Sequence, residues 1–203
     1  MSAPAMSIPS SEHTIGPFFP RTLFRDGDND LTIAAEGAAP TTKGEVIILR
    51  GQVRREEAVP CLNMILEAWQ ADAAGHFDHP LDPGRDQADP DFLGWGRAWT
   101  DGEGRYEFRT VMPGGYADAA GPRAPHINIA VMGAGLMRRA QTTVFFPDHE
   151  AAHAADPVLA LVPAALRPKL VAVPEGTEDG ARIFRFDIRL RGPAAEETPF
   201  FED

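Results

Sequence analysis

The chain has 203 residues, 43% of them apolar, enough for one large domain with a real core and too apolar for a disordered chain. Its 30 acidic and 19 basic residues give a formal net charge of -11, which argues against nucleic acid as a partner. No apolar run approaches the roughly 20 residues of a membrane span, no signal peptide is visible, and the single cysteine, Cys61, rules out an internal disulfide and fits a reducing cytoplasm.

Residues 1–12 are small and polar and read as a loose tail. His13-Thr-Ile-Gly-Pro-Phe-Phe-Pro20 follows, a segment that Gly16-Pro17 keeps out of a helix. Its aromatic pair needs burial, against its own domain or against a partner subunit. Residues 25–44 are polar and Gly-rich and read as loop. Strands begin at Glu45: Val46–Leu49 run into Gly51-Gln-Val53. Cys61 opens the next apolar pattern and reads as a small buried hydrophobe. From Leu62 to Trp69, Leu62, Met64, Leu66 and Ala68 alternate with Asn63, Ile65, Glu67 and Trp69, a strand partly buried on both faces. Glu67 inside it calls for a partner.

Residues 70–96 form a long polar loop, a class that often carries function. His76 and His79 in it suggest a metal pair, but H-x-x-H off a helix is a weak signal beside two solvated histidines. Gly94–Trp99 opens another strand, and Thr100–Arg105 is a hairpin turn whose Asp101-Gly102 supplies positive φ. Tyr106, Phe108 and Thr110 then alternate with Arg105, Glu107 and Arg109, which makes Tyr106 core rather than ligand.

Pro113-Gly-Gly-Tyr116 and Pro125-His-Ile-Asn128 carry the most distinctive chemistry. Tyr116 and His126 are good metal donors across an Ala/Gly/Pro loop. His126 and Asn128 stand at i and i+2 in an apolar run, so on a strand both side chains leave one face. A His-x-His pair there would aim two imidazoles at one ion, whereas Asn is a poor transition-metal ligand. Beyond it, Gln141–Phe146 reads as a strand closed by Pro147, and Glu150–Ala155 and Pro163–Val171 are short helical candidates. Phe184, Phe186, Ile188 and Leu190 alternate with Arg185, Asp187 and Arg189 in a last strand, ended by Gly192-Pro193. An acidic tail with Phe200-Phe201 completes the chain.

Short strands, Gly/Pro turns and little helix indicate an all-β fold. The expected organisation is a single-domain two-layer β-sandwich, with an arm and loop over 1–44, the core over 45–192 and a tail over 193–203.

Several ordered motifs carry a resemblance. Leu66-Glu-Ala-Trp-Gln-Ala-Asp-Ala-Ala-Gly75, Gly94-Trp-Gly-Arg97, Thr100–Thr110, Pro113-Gly-Gly-Tyr116, Pro125-His-Ile-Asn128, Thr143–Phe146, Pro157-Val-Leu159 and Phe184–Leu190 together resemble the intradiol ring-cleavage dioxygenases, from about His13 onward. The resemblance implies a transthyretin-like sandwich and a non-haem Fe(III) site that binds a small aromatic catechol and uses O₂. The family's iron is held by two tyrosines and two histidines, and hard phenolate oxygens suit a ferric ion. Carried over residue by residue, the second tyrosine is Tyr116 and the first histidine is His126. The first tyrosine falls on Phe77 and the second histidine on Asn128, neither of which fills the role. The resemblance therefore implies the iron-free chain of a hetero-oligomer, with relict ligand positions at Phe77, Tyr116, His126 and Asn128. The iron would belong to a partner beta subunit, whose pocket this chain would help wall with Thr14, Gly16 and Pro17. An arginine can follow the His-Ile-Asn strand in such chains; Arg138 and Arg139 stand a few residues beyond that place and are not assigned to it. Two other readings stay open: an independent enzyme holding metal through Tyr116, His126 and His76 or His79, and a β-sandwich binding module with no catalytic role.

Overall fold

The computed structural model describes residues 24–133, 136 and 138–201. Two sheets enclose one apolar cluster. The first is centred on β1 (Val46–Arg54), which pairs antiparallel with β4 (Arg105–Val111) and parallel with β10 (Ala181–Arg185) and β11 (Ile188–Arg189). The strand β9 (Val173–Glu178) adds to β10 at the edge. The second sheet is antiparallel throughout, in the order β3 (Trp95–Trp99), β2 (Ile65–Trp69), β7 (His126–Met132), β8 (Ala140–Phe145). A two-stranded ribbon, β5 (Tyr116–Asp118) with β6 (Gly121–Arg123), projects from it, and two short helices, α1 (Glu150–His153) and α2 (Pro157–Leu161), follow β8.

The alternation read from the sequence explains the layering. Ile47, Leu49 and Val53 of β1 and Phe108 of β4 face Leu66 and Ala68 of β2 and Ile127, Ile129 and Val131 of β7, all buried in one cluster. Their side chains leave alternate strand positions, so each sheet turns one apolar face inward. Tyr106 belongs to this core, with its hydroxyl donating to the Phe186 carbonyl at 2.6 Å. Glu67 has the expected partner, the Arg97 guanidinium across the β2–β3 pair at 2.6 Å. Cys61 is half-buried, and burial pushes its thiol up against the opposing field of Arg55, as suits a packed thiol.

Several expectations need correction. The segment 25–44 is loop, yet it is docked: Leu31 is fully buried, its amide donating to Arg109 and its carbonyl accepting from Leu93. The strand expected from Leu62 starts at Ile65, because Asn63 turns the chain with φ 56°. Thr100–Arg105 is a tight turn but not a hairpin, because β3 pairs with β2 in the second sheet and β4 with β1 in the first. Its positive φ falls on Gly104, not Gly102, and the Asp101 carboxylate accepts the amides of Glu103 and Arg105. The last strand is interrupted between β10 and β11, where the Asp187 carboxylate takes the Gln52 amide in place of a ladder carbonyl. Helix forms at Pro157–Leu161, whereas Pro163–Val171 holds only a 3₁₀ turn at Arg167–Leu170.

Candidate functional site

The site begins with a close backbone approach. The loop after β2 reaches Gly75, whose φ of 90° suits glycine, and packs against Gly114-Gly115. A Cβ on Gly114 would lie 2.4 Å from the Gly75 nitrogen, and one on Gly75 would lie 2.2 Å from the Gly115 carbonyl oxygen. The buried Asp72 holds the two segments together. Its backbone carbonyl accepts the Gly114 amide, and its carboxylate accepts the amides of Ala74, His76 and Asp89. Glycine at these positions therefore lets two loops touch, and the contact carries Phe77 to Tyr116 at the start of β5.

The rings of Trp69, Phe77, Tyr116, His126 and Phe145 then form a continuous row. Phe77 stacks on Trp69 at 6.1 Å and meets Tyr116 edge to face at 5.2 Å. Tyr116 and His126 are 5.5 Å apart between centroids, and Phe145 lies 5.8 Å beyond His126. Three of the four positions singled out from the sequence are thus in one row. The fourth, Asn128, leaves the same face of β7 as His126, and its side-chain oxygen accepts the Thr143 hydroxyl at 2.8 Å.

His126 is buried, with Nδ1 2.6 Å from the Ala124 carbonyl oxygen. A carbonyl only accepts, so Nδ1 carries the proton and Nε2 carries the lone pair. Nε2 faces the Tyr116 hydroxyl and the Arg123 guanidinium, each at 3.4 Å. Burial lowers the imidazole pKa to about 4, helped by the nearby Arg123 charge and opposed by the hydrogen bond to Ala124, so the ring is neutral at pH 7. Burial pushes the Tyr116 phenol up from its ordinary value, with Arg123 opposing, so it too is neutral. The pair offers one lone pair and one hydroxyl.

Arg123, Asp118 and Asp156 complete the cluster and were not singled out from the sequence. Arg123 donates to Asp118 at 3.2 Å and to Asp156 at 3.1 Å, and its guanidinium lies 5.8 Å from the centre of the Tyr116 ring. Asp156 is fully buried. One of its oxygens accepts the Val158 and Leu159 amides as the N-cap of α2, and the other accepts Arg123 and the Ala124 amide. Asp-Pro at the head of a helix is a readable start signal. The partnership across 33 residues with Arg123 is not.

The remaining sequence candidates lie elsewhere. His79 packs on Trp69, and its Nδ1 accepts the Leu81 amide, while His76 lies against Gly84. Among the described residues no group of three or more His, Cys, Asp or Glu is arranged to hold a metal. Arg138 is exposed, at the far end of β7–β8 from His126, roughly 20 Å away for six residues of strand. Arg139 shares that location. Thr14, Gly16 and Pro17 lie outside the described residues. A cavity of about 1050 Å³ is also remote, between residues 24–29 and the outer faces of β1 and β4. Three of the arginines that line it are ion-paired, Arg50 with Glu175 and Glu178, Arg105 with Asp101 and Arg185 with Asp187. The aromatic row, not this groove, holds the unusual chemistry. No helix of the described residues is long and apolar enough to cross a membrane.

Known proteins share this fold. A family model described as Dioxygenase matches residues 15–192. The chain is 39% identical over 194 residues to the protocatechuate 3,4-dioxygenase alpha chain of Burkholderia cepacia, covering 93% of this chain and 94% of that one. It is 38% identical over 172 residues to the protocatechuate 3,4-dioxygenase beta chain of Burkholderia cepacia, covering 81% of this chain and 72% of that one. The solved structure of 3-chlorocatechol 1,2-dioxygenase from Rhodococcus opacus 1CP has the same fold, with a TM-score of 0.61 at 21% identity over 89% of this chain and 71% of that chain. The match spans every strand that brings Phe77, Tyr116 and His126 into one row, and by it the protein belongs to the intradiol dioxygenase family, whose members are ring-cleaving oxidoreductases with non-haem iron.

Proposed function

We propose that this chain is the alpha-type subunit of a protocatechuate 3,4-dioxygenase, working in the cytoplasm beside an iron-bearing beta-type subunit. That enzyme opens the catechol ring of protocatechuate between its hydroxyls with O₂ to give 3-carboxy-cis,cis-muconate. The observation that carries the reading is the donor set around Tyr116. Phe77 faces Tyr116 with a ring that has no hydroxyl, and the Asn128 oxygen is committed to Thr143. Two donors out of four do not fit a ferric ion, so no step of the reaction is assigned to this chain's own residues. Identity to both chain types of Burkholderia cepacia supports descent of the pair from one sandwich and a hetero-oligomer of alpha-beta pairs.

On this reading the chain contributes through its arm. Thr14, Gly16 and Pro17 wall the partner's pocket, where a Gly-Pro segment can present backbone close to a flat ring. Co-expressed with its beta-type partner, a chain carrying Gly16→Val or Pro17→Leu is expected to lower kcat/KM for protocatechuate by roughly tenfold to a hundredfold, the usual penalty of misplaced substrate. Iron content should stay that of the natural complex. Unchanged kinetics in both variants would remove the shared pocket.

The relict reading makes its own prediction. Asn128→His alone is expected to leave the isolated chain without iron, because Phe77 still withholds a phenolate. Metal analysis after purification in ferric medium checks it, and stoichiometric iron in that variant would refute the ligand assignment.

A further inference from the structure

Asp156 closes a ring of hydrogen bonds around His126. Its inner oxygen accepts Arg123 Nε at 3.1 Å and the Ala124 amide at 2.9 Å. The other end of the Arg123 guanidinium points a nitrogen at His126 Nε2, and His126 Nδ1 points at the Ala124 carbonyl. Every link has a defined direction. A guanidinium has only donors, so the group it faces must accept; a carbonyl only accepts, so the group it faces must donate. Asp156 therefore constrains the imidazole from both sides, through a side chain at Nε2 and through the backbone at Nδ1. It does so from the rigid start of α2, where its outer oxygen caps the helix.

We propose that Asp156 is the positioning residue of the Tyr116–His126 pair, holding His126 in its Nδ1–H tautomer with the Nε2 lone pair turned toward Tyr116. The assignment goes beyond the subunit reading and holds whichever chain carries iron. It gives the buried aspartate a role that helix capping does not require. A cap needs one oxygen, and here the second is spent on groups that face the imidazole.

Nitrogen-15 NMR of the histidine rings, on the full chain at pH 7, tests it, with the His126 signals identified by their loss in His126→Phe. The natural chain is expected to show a single His126 tautomer protonated at Nδ1. Asp156→Asn is expected to lose that single pattern, giving a mixture or the Nε2–H form, because an amide presents one oxygen and carries no charge to hold Arg123. Asp118→Asn is the control: it removes the other carboxylate from Arg123 and leaves the ring of bonds intact, so the tautomer should not change. If Asp156→Asn does not fold, Arg123→Gln breaks the same ring without touching the helix cap and should also release the tautomer. The proposal is overturned if the natural chain is Nε2-protonated, if the folded ring-breaking variant keeps the pure Nδ1–H form, or if Asp118→Asn shifts the tautomer as much. A shared-pocket result at Gly16 and Pro17 would be unaffected by any of these outcomes.

Discussion

Asp156→Ala is expected to destabilise the fold by about 3–5 kcal/mol, the range for breaking a buried ion pair from one side. Arg123 is almost wholly buried, and its remaining partner, Asp118, is partly exposed. Removing Asp156 leaves a guanidinium in a low-dielectric site with half its compensation. The Ala124 amide and the two cap amides at Val158 and Leu159 lose their acceptor in the same step. A lost cap alone costs about 0.5–2 kcal/mol. The two losses share one side chain, so they overlap and do not simply add. Urea unfolding at pH 7 measures the difference. A loss under about 1 kcal/mol would mean that water reaches Arg123 and the cluster is not a buried one.

Acid should unfold the protein partly through His126. The unfolded imidazole takes up its proton near 6.5, the folded one only at about 4, with burial as the main cause. Between those values the unfolded chain binds more protons, so stability falls as pH falls through that window and is level below it with respect to this group. A gap of that size corresponds to about 3 kcal/mol. His153 is lowered in the same direction, also by burial, and adds to the trend. His126→Phe keeps a ring between Tyr116 and Phe145 but cannot titrate. The expected result is a pH 7 to pH 4 loss of stability about 3 kcal/mol smaller in the variant than in the natural chain. Equal losses in both would contradict a buried neutral imidazole. The lowered carboxyl groups, such as Asp82, Asp89 and Asp118, begin to lose their contribution as pH falls below about 5, but they do so in both chains and cancel in the comparison.

Much of the sandwich was legible because strand periodicity is local. Ile127, Ile129 and Val131 alternate with Asn128 and Ala130, and that pattern alone gives β7 its inner face. What escaped was structure without a period. The ribbon β5–β6 has three residues a side with Gly and Pro inside it, and β9 is exposed along its whole length, so neither has an apolar face to announce it. The interruption after β10 depends on Asp187 meeting Gln52, 135 residues away, which no local rule contains. The site divides in the same way. Tyr116 and His126 stand out as donor types near each other in the chain, and Phe77 through the resemblance. Arg123 and Asp156 look ordinary until the fold places one carboxylate against both the guanidinium and the Ala124 amide. Gly114-Gly115 stands inside the Pro113–Tyr116 motif, but its use, close contact with Gly75, exists only in three dimensions.

The central claim is that this chain holds no iron while its partner does. Iron analysis together with the visible phenolate-to-iron absorption, taken on the chain purified alone and on the chain co-purified with its beta-type partner, tests it most directly. The account predicts a colourless, iron-free single chain and a coloured complex with one ferric ion for each alpha-beta pair. Stoichiometric iron and catechol cleavage by the single chain would contradict it.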